Sequence, residues 1–197
     1  VMARPAPRLL AAAALMLAGG SIYALPYLRQ SFYLAMLEGF DITSTQLGLL
    51  NALFGMFALV CYVPGGWLAD VFSARKLLSV SLVASGLGGL VFATFPPYAV
   101  VLALHGLWGI STILTFWAAL IKATRLAAAA QSQGRAFGLL DGGRGLVQSG
   151  LGAGAIGLFV FFGEGRGGLG AVMTMYAVVT LAAGAATWLF LDEREDR

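Results

Sequence analysis

Six stretches of apolar residues alternate with short polar or turn-forming segments along the chain, at residues 9–37, 47–68, 77–95, 98–120, 136–162 and 169–190. A helix needs about 20 apolar residues to cross the hydrocarbon core of a bilayer, so each run is predicted to be one transmembrane helix. The first run is longer than one crossing requires and contains Pro26, which lacks a backbone donor and predicts a kinked helix. Arg4 and Arg8 ahead of that run imitate a secretion signal, but the run is too long for one. Pro96 and Pro97 predict a sharp turn, residues 163–168 a glycine-rich one. Residues 121–135 read as amphipathic, with Lys122, Arg125 and Arg135 among alanines and glutamines.

Composition agrees with that pattern. Of 197 residues, 59% are hydrophobic and 11% charged, with mean hydropathy +0.86. An ordinary soluble domain carries about 25% charged residues, so that class is excluded and the lipid bilayer is the expected partner. The single cysteine, Cys61, cannot form an intrachain disulfide, and no metal-ligand spacing occurs; no metal or cofactor is expected. The net charge of +3 is dispersed, which argues against a nucleic-acid partner.

The basic residues instead set topology. If six helices alternate, Arg4, Arg8, Arg75, Lys76, Lys122, Arg125, Arg135, Arg194 and Arg197 share one side, and only Arg166 lies in a loop on the other. Loops rich in Lys and Arg stay in the cytoplasm, so both termini are predicted cytoplasmic. Gly134, Gly138 and Gly142 recur every fourth residue, as do Gly150 and Gly154, a spacing that lets helices approach closely.

Two arginines escape the loops. Arg29 lies in the first run and Arg144 in the fifth, where charge costs at least ~2.5 kcal/mol by insertion scales. Arg144 sits roughly 12 Å inside its helix at 1.5 Å per residue. Asp141 at i−3 and Gln148 at i+4 share its face, and Gly142, Gly143 and Gly145 leave room around them. Either Asp141 and Arg144 neutralise each other inside the bundle, or Asp141 orients Arg144 for an anion. A guanidinium suits phosphate or carboxylate because its fork donates two parallel hydrogen bonds. Arg29, flanked by Tyr23, Tyr27 and Tyr33, either lines a cavity with them or snorkels to the outer interface.

The stretch 65–76, GGWLADVFSARK, places Asp70 and the pair Arg75 and Lys76 in a tight turn between two apolar runs. Gly65 and Gly66 would let one backbone approach another at the helix end. Gly66, Asp70, Ser73, Arg75 and Lys76 resemble the signature loop between the second and third helices of the major facilitator superfamily; Val71 and Ala74 depart from it. The resemblance implies an all-α membrane fold of six helices in two inverted three-helix repeats, one half of a major facilitator fold. Residues 1–8 would then be a cytoplasmic leader, 9–190 the bundle, and 191–197 the start of a charged cytoplasmic loop. It implies alternating access, with Gly66, Asp70, Arg75 and Lys76 as the conformational-switch loop, in a multi-pass protein of a bacterial inner membrane. The chain reads as an amino-terminal half whose partner is a carboxy-terminal half or a second copy.

A narrower resemblance joins YLRQSFYLAM (27–36) and QGRAFGLLDGGRG (133–145) to the organophosphate:phosphate antiporters. Arg29 falls on that branch's phosphate-binding arginine, and Arg144 on the position of a substrate-contacting histidine. The branch's basic residue late in the second helix falls near Tyr62, a departure. The resemblance implies a small anionic substrate such as an organic phosphate, held by Arg29, Arg144, Asp141, Gln148 and Tyr33. Other readings are a proton-coupled exporter of the same superfamily, with Asp141 carrying the proton, and a non-transporting membrane scaffold. An enzyme is not expected. Gly109-Ile110-Ser111 imitates a protease nucleophile, but His105 lies on another face of the same helix. His105 reads as a packed histidine or a proton relay, Asn51 as a cap between helices, and Trp67 and Trp117 as interfacial anchors.

Overall fold

The computed structural model describes residues 5–127 and 132–191. The expected basic residues Arg4, Arg194 and Arg197, and the middle of the stretch 121–135, lie outside them. Every regular element among the described residues is helical: α1 (Pro5–Ser21), α2 (Arg29–Phe40), α3 (Ser44–Val71), α4 (Ala74–Phe92), α5 (Tyr98–Ile110), a π-helical segment (Ser111–Trp117), α6 (Ala118–Ala127), α7 (Gln133–Phe161) and α8 (Arg166–Phe190). Five of the predicted spans are single helices or one continuous helical stretch long and apolar enough to cross a membrane.

The first span is broken more deeply than a kink. Residues 22–28 form hydrogen-bonded turns between α1 and α2, and Phe32 interrupts α2 again at φ −126°. Pro26 explains the break, because it cannot donate and its ring crowds the preceding turn. The fourth span also differs: it runs unbroken from Tyr98 to Ala127, with the π-helical segment inside it, so the start of the expected amphipathic stretch is its last turns. The third span starts where Ser73 caps it, its Oγ accepting from the Lys76 amide at 3.5 Å. The second starts at a reciprocal cap. The Gln46 amide donates to Thr43 Oγ1 at 3.2 Å and the Thr43 amide to Gln46 Oε1 at 2.8 Å.

Helix packing has the symmetry of an inverted repeat. The most extensive contact pairs the third span with the sixth, α4 with α8; next come the second with the fourth, α3 with α5 and the π-helical segment, and the first with the fifth, α1 with α7. Exchanging spans one, two and three with four, five and six maps the first pairing onto itself and swaps the other two. That is the signature of two three-helix repeats facing opposite ways.

Two apolar clusters fill the bundle. One, towards the end that carries Arg75 and Lys76, is built on Leu15, Leu78, Leu82, Phe116 and Leu120; the other, towards the opposite end, on Met36, Phe92, Val101, Trp108 and Met173. Between them lies a belt of buried hydroxyls: Ser81, Ser85, Ser111, Thr112 and Thr180.

Apolar contact gives little drive inside lipid, so close packing has to come from small residues. A side chain at Gly86 would meet Leu181, one at Gly89 Leu25 and Ala177, and one at Gly109 the Phe54 backbone. The glycine stripe on α7 behaves differently. Gly134, Gly138, Gly142 and Gly150 face open space, and α7 is the least buried of the spans. The surface those glycines would pack against is absent from the described residues.

Candidate functional site

Arg144 stands where α1 and α7 cross. A Cβ on Gly19 would lie 2.6 Å from Arg144 Cδ, and one on Gly20 2.6 Å from Val147 Cβ. Glycine at both positions therefore lets the guanidinium stem lie against the α1 backbone. Arg144 Nε donates to the Gly19 carbonyl at 3.3 Å, and Nη1 donates to Asp141 Oδ1 at 3.1 Å. Trp117, at the end of the π-helical segment, supplies a third side, its ring centroid 5.2 Å from Arg144 Cζ. A cation over an aromatic face is attracted by the ring quadrupole. The Nη2 hydrogens bond to nothing among the described residues. The result is a guanidinium fixed on three sides with donors to spare, the preorganisation that anion binding rewards.

Asp141 is not the buried carboxylate the sequence suggested. Its side chain is 71% exposed against 17% for Arg144, because α7 leaves that face uncovered. One turn beyond Arg144, Gln148 lines a cavity of about 250 Å³ between the break in the first span and α7 and α8. Tyr23, Tyr27, Gln30, Ser31 and Tyr176 share it. The rings of Tyr23 and Tyr27 stack at 5.6 Å, and Tyr27 meets Phe54 edge-on.

Arg29 and Tyr33 are not brought to this place. The first span and α7 run parallel in one register, with Met16 of α1 opposite Gly143, Gly20 of α1 opposite Val147 and Phe32 of α2 opposite Phe159. That register sets Arg29 level with Ile156, twelve residues beyond Arg144, or about 18 Å along the axis at 1.5 Å per residue. Arg29 makes no hydrogen bond or ion pair with the described residues, and Tyr33 is 41% exposed.

The loop 65–76 divides its tasks. Gly65 makes the close approach: a Cβ there would lie 2.8 Å from the Ile113 carbonyl oxygen. Gly66, expected to share that task, faces open space instead. Asp70 is exposed on a crevice of about 520 Å³ that also holds Tyr62, Trp117, Lys122 and Arg125. Arg75 folds onto the sixth span, its Cζ 4.3 Å from the Trp188 ring centroid, and the Lys76 side chain is exposed. Lys122 reaches across from the fourth span, and its Nζ donates to the Ala69 and Phe72 carbonyls at 3.0 and 3.2 Å. Those carbonyls end α3 and have no helical partner, so a cation there is doubly favoured.

Several participants were not legible as such. Gly19 and Gly20 carry no motif that singles them out in the sequence, and Trp117 reads there as an interfacial anchor. Asn51 bonds its own helix at the Leu47 carbonyl rather than bridging two. His105 is buried, with Nδ1 2.9 Å from the Val101 carbonyl oxygen and its ring edge-on to Phe92 and Trp108. The Ser111 hydroxyl pairs with Ser85.

The sequence of this chain is similar to those of known proteins. Residues 9–197 match the family profile of the Major Facilitator Superfamily. The chain is 32% identical over 179 residues to Inner membrane protein YqcE of Escherichia coli K12, covering 90% of this chain and 42% of that protein. It is 32% identical over 182 residues to Inner membrane protein YihN of the same organism, covering 92% of this chain and 43% of that protein. A shorter match, 36% identical over 77 residues, joins it to the Bacillibactin exporter of Bacillus subtilis, covering 36% of this chain and 19% of that protein. The chain thus spans less than half the length of these relatives. With six spans, the packing symmetry of an inverted repeat and a family match across nearly its whole length, this chain belongs to the major facilitator superfamily.

Proposed function

We propose that the chain is the amino-terminal half of a secondary active transporter that moves a small anionic solute, such as an organic phosphate, by alternating access. The observation that carries this reading is the three-sided seat of Arg144. Holding a cation at that depth is costly, and here it is held with donors still unused. Arg29, about 18 Å further along the bundle, is a second anion station on the same path. The unpacked glycine face of α7 and the exposed Asp70 crevice fit docking of a carboxy-terminal half or a second copy. Both termini lie in the cytoplasm in this reading, from the placing of the basic residues, and the membrane is a bacterial inner membrane, the location in the names of the two Escherichia coli relatives.

The test is counterflow. Membrane vesicles loaded with inorganic phosphate should take up labelled glycerol 3-phosphate through the protein as expressed in its native membrane. Arg144→Lys should abolish uptake with normal insertion, because a point charge cannot replace the fork. Unchanged uptake in Arg144→Lys would reject the reading.

One further reading has an observation behind it. A relative is named an exporter, and Asp141 is an accessible carboxylate paired to Arg144. In a proton-coupled exporter Asp141 would carry the proton. Transport by Asp141→Asn with an unaltered pH profile would count against it.

A further inference from the structure

The fourth span is α-helical at both ends and π-helical between Ser111 and Trp117. A π turn bonds i to i+5 and in effect inserts a residue. Such an insertion is unfavourable on its own and persists only where neighbours hold it. Here the neighbours are two serines of α4. Ser81 Oγ donates to the Ser111 carbonyl at 2.6 Å, and the Ser85 and Ser111 hydroxyls pair at 2.9 Å. Thr115 Oγ1 donates to the same Ser111 carbonyl at 2.8 Å. Both α4 serines are 1% exposed, so bulk water does not compete for these bonds. From the other side, Gly65 of α3 packs against the Ile113 and Leu114 carbonyls.

We propose that Ser81 and Ser85 are positioning residues for the anion site: they hold the fourth span in its π register and so place Trp117 under the guanidinium of Arg144. Relaxation of the segment to α would remove the inserted residue. Everything beyond it would rotate by about 100°, one residue's turn of an α-helix. Trp117 would then take the direction Ala118 has now and leave Arg144 with two supports in place of three. Buried Leu120 would take the direction of exposed Ile121. Three elements are coupled in series, α4 to the π segment to α7, with no contact between the serines and the ligand. The link to anion binding rests on the proposed function; the register itself does not.

The experiment uses that rotation. In a Cys61→Ala background, Leu120→Cys and Ile121→Cys are labelled with a membrane-permeant maleimide in native membranes, with and without Ser81→Ala/Ser85→Ala. The expected result is opposite changes: Leu120→Cys labels at least tenfold faster in the double alanine variant and Ile121→Cys severalfold slower. Ser81→Thr/Ser85→Thr, which keeps both hydroxyls, should restore the parent pattern. Unchanged labelling at both positions would overturn the proposal. So would faster labelling at both, which means general loosening. Affinity for inorganic phosphate is read in the same variants and should fall about tenfold with the alanines and recover with the threonines. If the parent binds no phosphate, the anion reading fails, while the labelling still decides the register.

Discussion

Arg144 Nε donates to the carbonyl oxygen of Gly19 at 3.3 Å, across a helix crossing at which any side chain on Gly19 would overlap the arginine stem. A charge inside the bundle is thus held by a backbone acceptor that only a glycine can present. The remaining donors are left to whatever enters the space around α7.

Substitution at that crossing should separate function from folding. Gly19→Ala places a methyl 2.6 Å from Arg144 Cδ, a flexible neighbour that can move. Phosphate affinity should fall at least tenfold with little loss of thermal stability. Gly20→Val instead meets the Val147 side chain and the Arg144 carbonyl oxygen, which cannot yield. Overpacking of that kind costs about 1–3 kcal/mol, so its thermal midpoint in detergent should drop clearly. Equal behaviour of the two variants would mean that Gly19 serves packing alone.

Lys122 fastens the fourth span to the end of the second. Hydrogen bonds from a charged group contribute about 1.5–3 kcal/mol each when well formed. Lys122→Met should therefore free the 69–73 segment, read as faster hydrogen exchange there than in α8. Lys122→Arg should recover part of the protection. Exchange unchanged in Lys122→Met would show that the two carbonyls are satisfied without it.

Arg75 and Trp188 should be coupled. A double-mutant cycle with Arg75→Gln and Trp188→Leu, read by thermal stability, should give an interaction of about 0.5–1 kcal/mol for a partly exposed cation–aromatic pair. A coupling of zero would place Arg75 in solvent.

Gly142→Ala probes the uncovered face of α7. A Cβ there meets nothing within 4 Å, so stability of this chain alone should stay unchanged or rise slightly, because Gly costs a helix about 1 kcal/mol relative to Ala. In the protein as expressed in its native membrane, the same change should slow transport if a second half or a second copy packs on that stripe. Uptake equal to the parent would say that nothing approaches there.

The sequence was legible wherever hydrophobic length or a short motif carries the information. Six apolar runs marked the spans, Pro26 marked a kink where the structure has a full break, and the residues around Asp70 pointed to the family. What stayed hidden depends on partners distant in the chain. Trp117 had the position of an interfacial anchor, and only the π turn and the α1–α7 crossing bring it to Arg144. Asp141 seemed buried because its neighbours in sequence are apolar, yet the face it occupies is uncovered in this chain. Gly65 and Gly66 are indistinguishable in sequence, and one touches the fourth span while the other faces open space. Arg29 and Arg144 could be paired on paper, whereas the helix register sets them about 18 Å apart.

The most direct measurement is equilibrium binding of radiolabelled inorganic phosphate to the protein, purified as it is expressed in its native membrane and placed in lipid nanodiscs, compared with Arg144→Lys and Arg29→Lys. Saturable binding that Arg144→Lys eliminates and Arg29→Lys only weakens is the expected result. Saturable binding that survives Arg144→Lys unchanged, or its absence from the parent protein, would contradict an anion site built on Arg144.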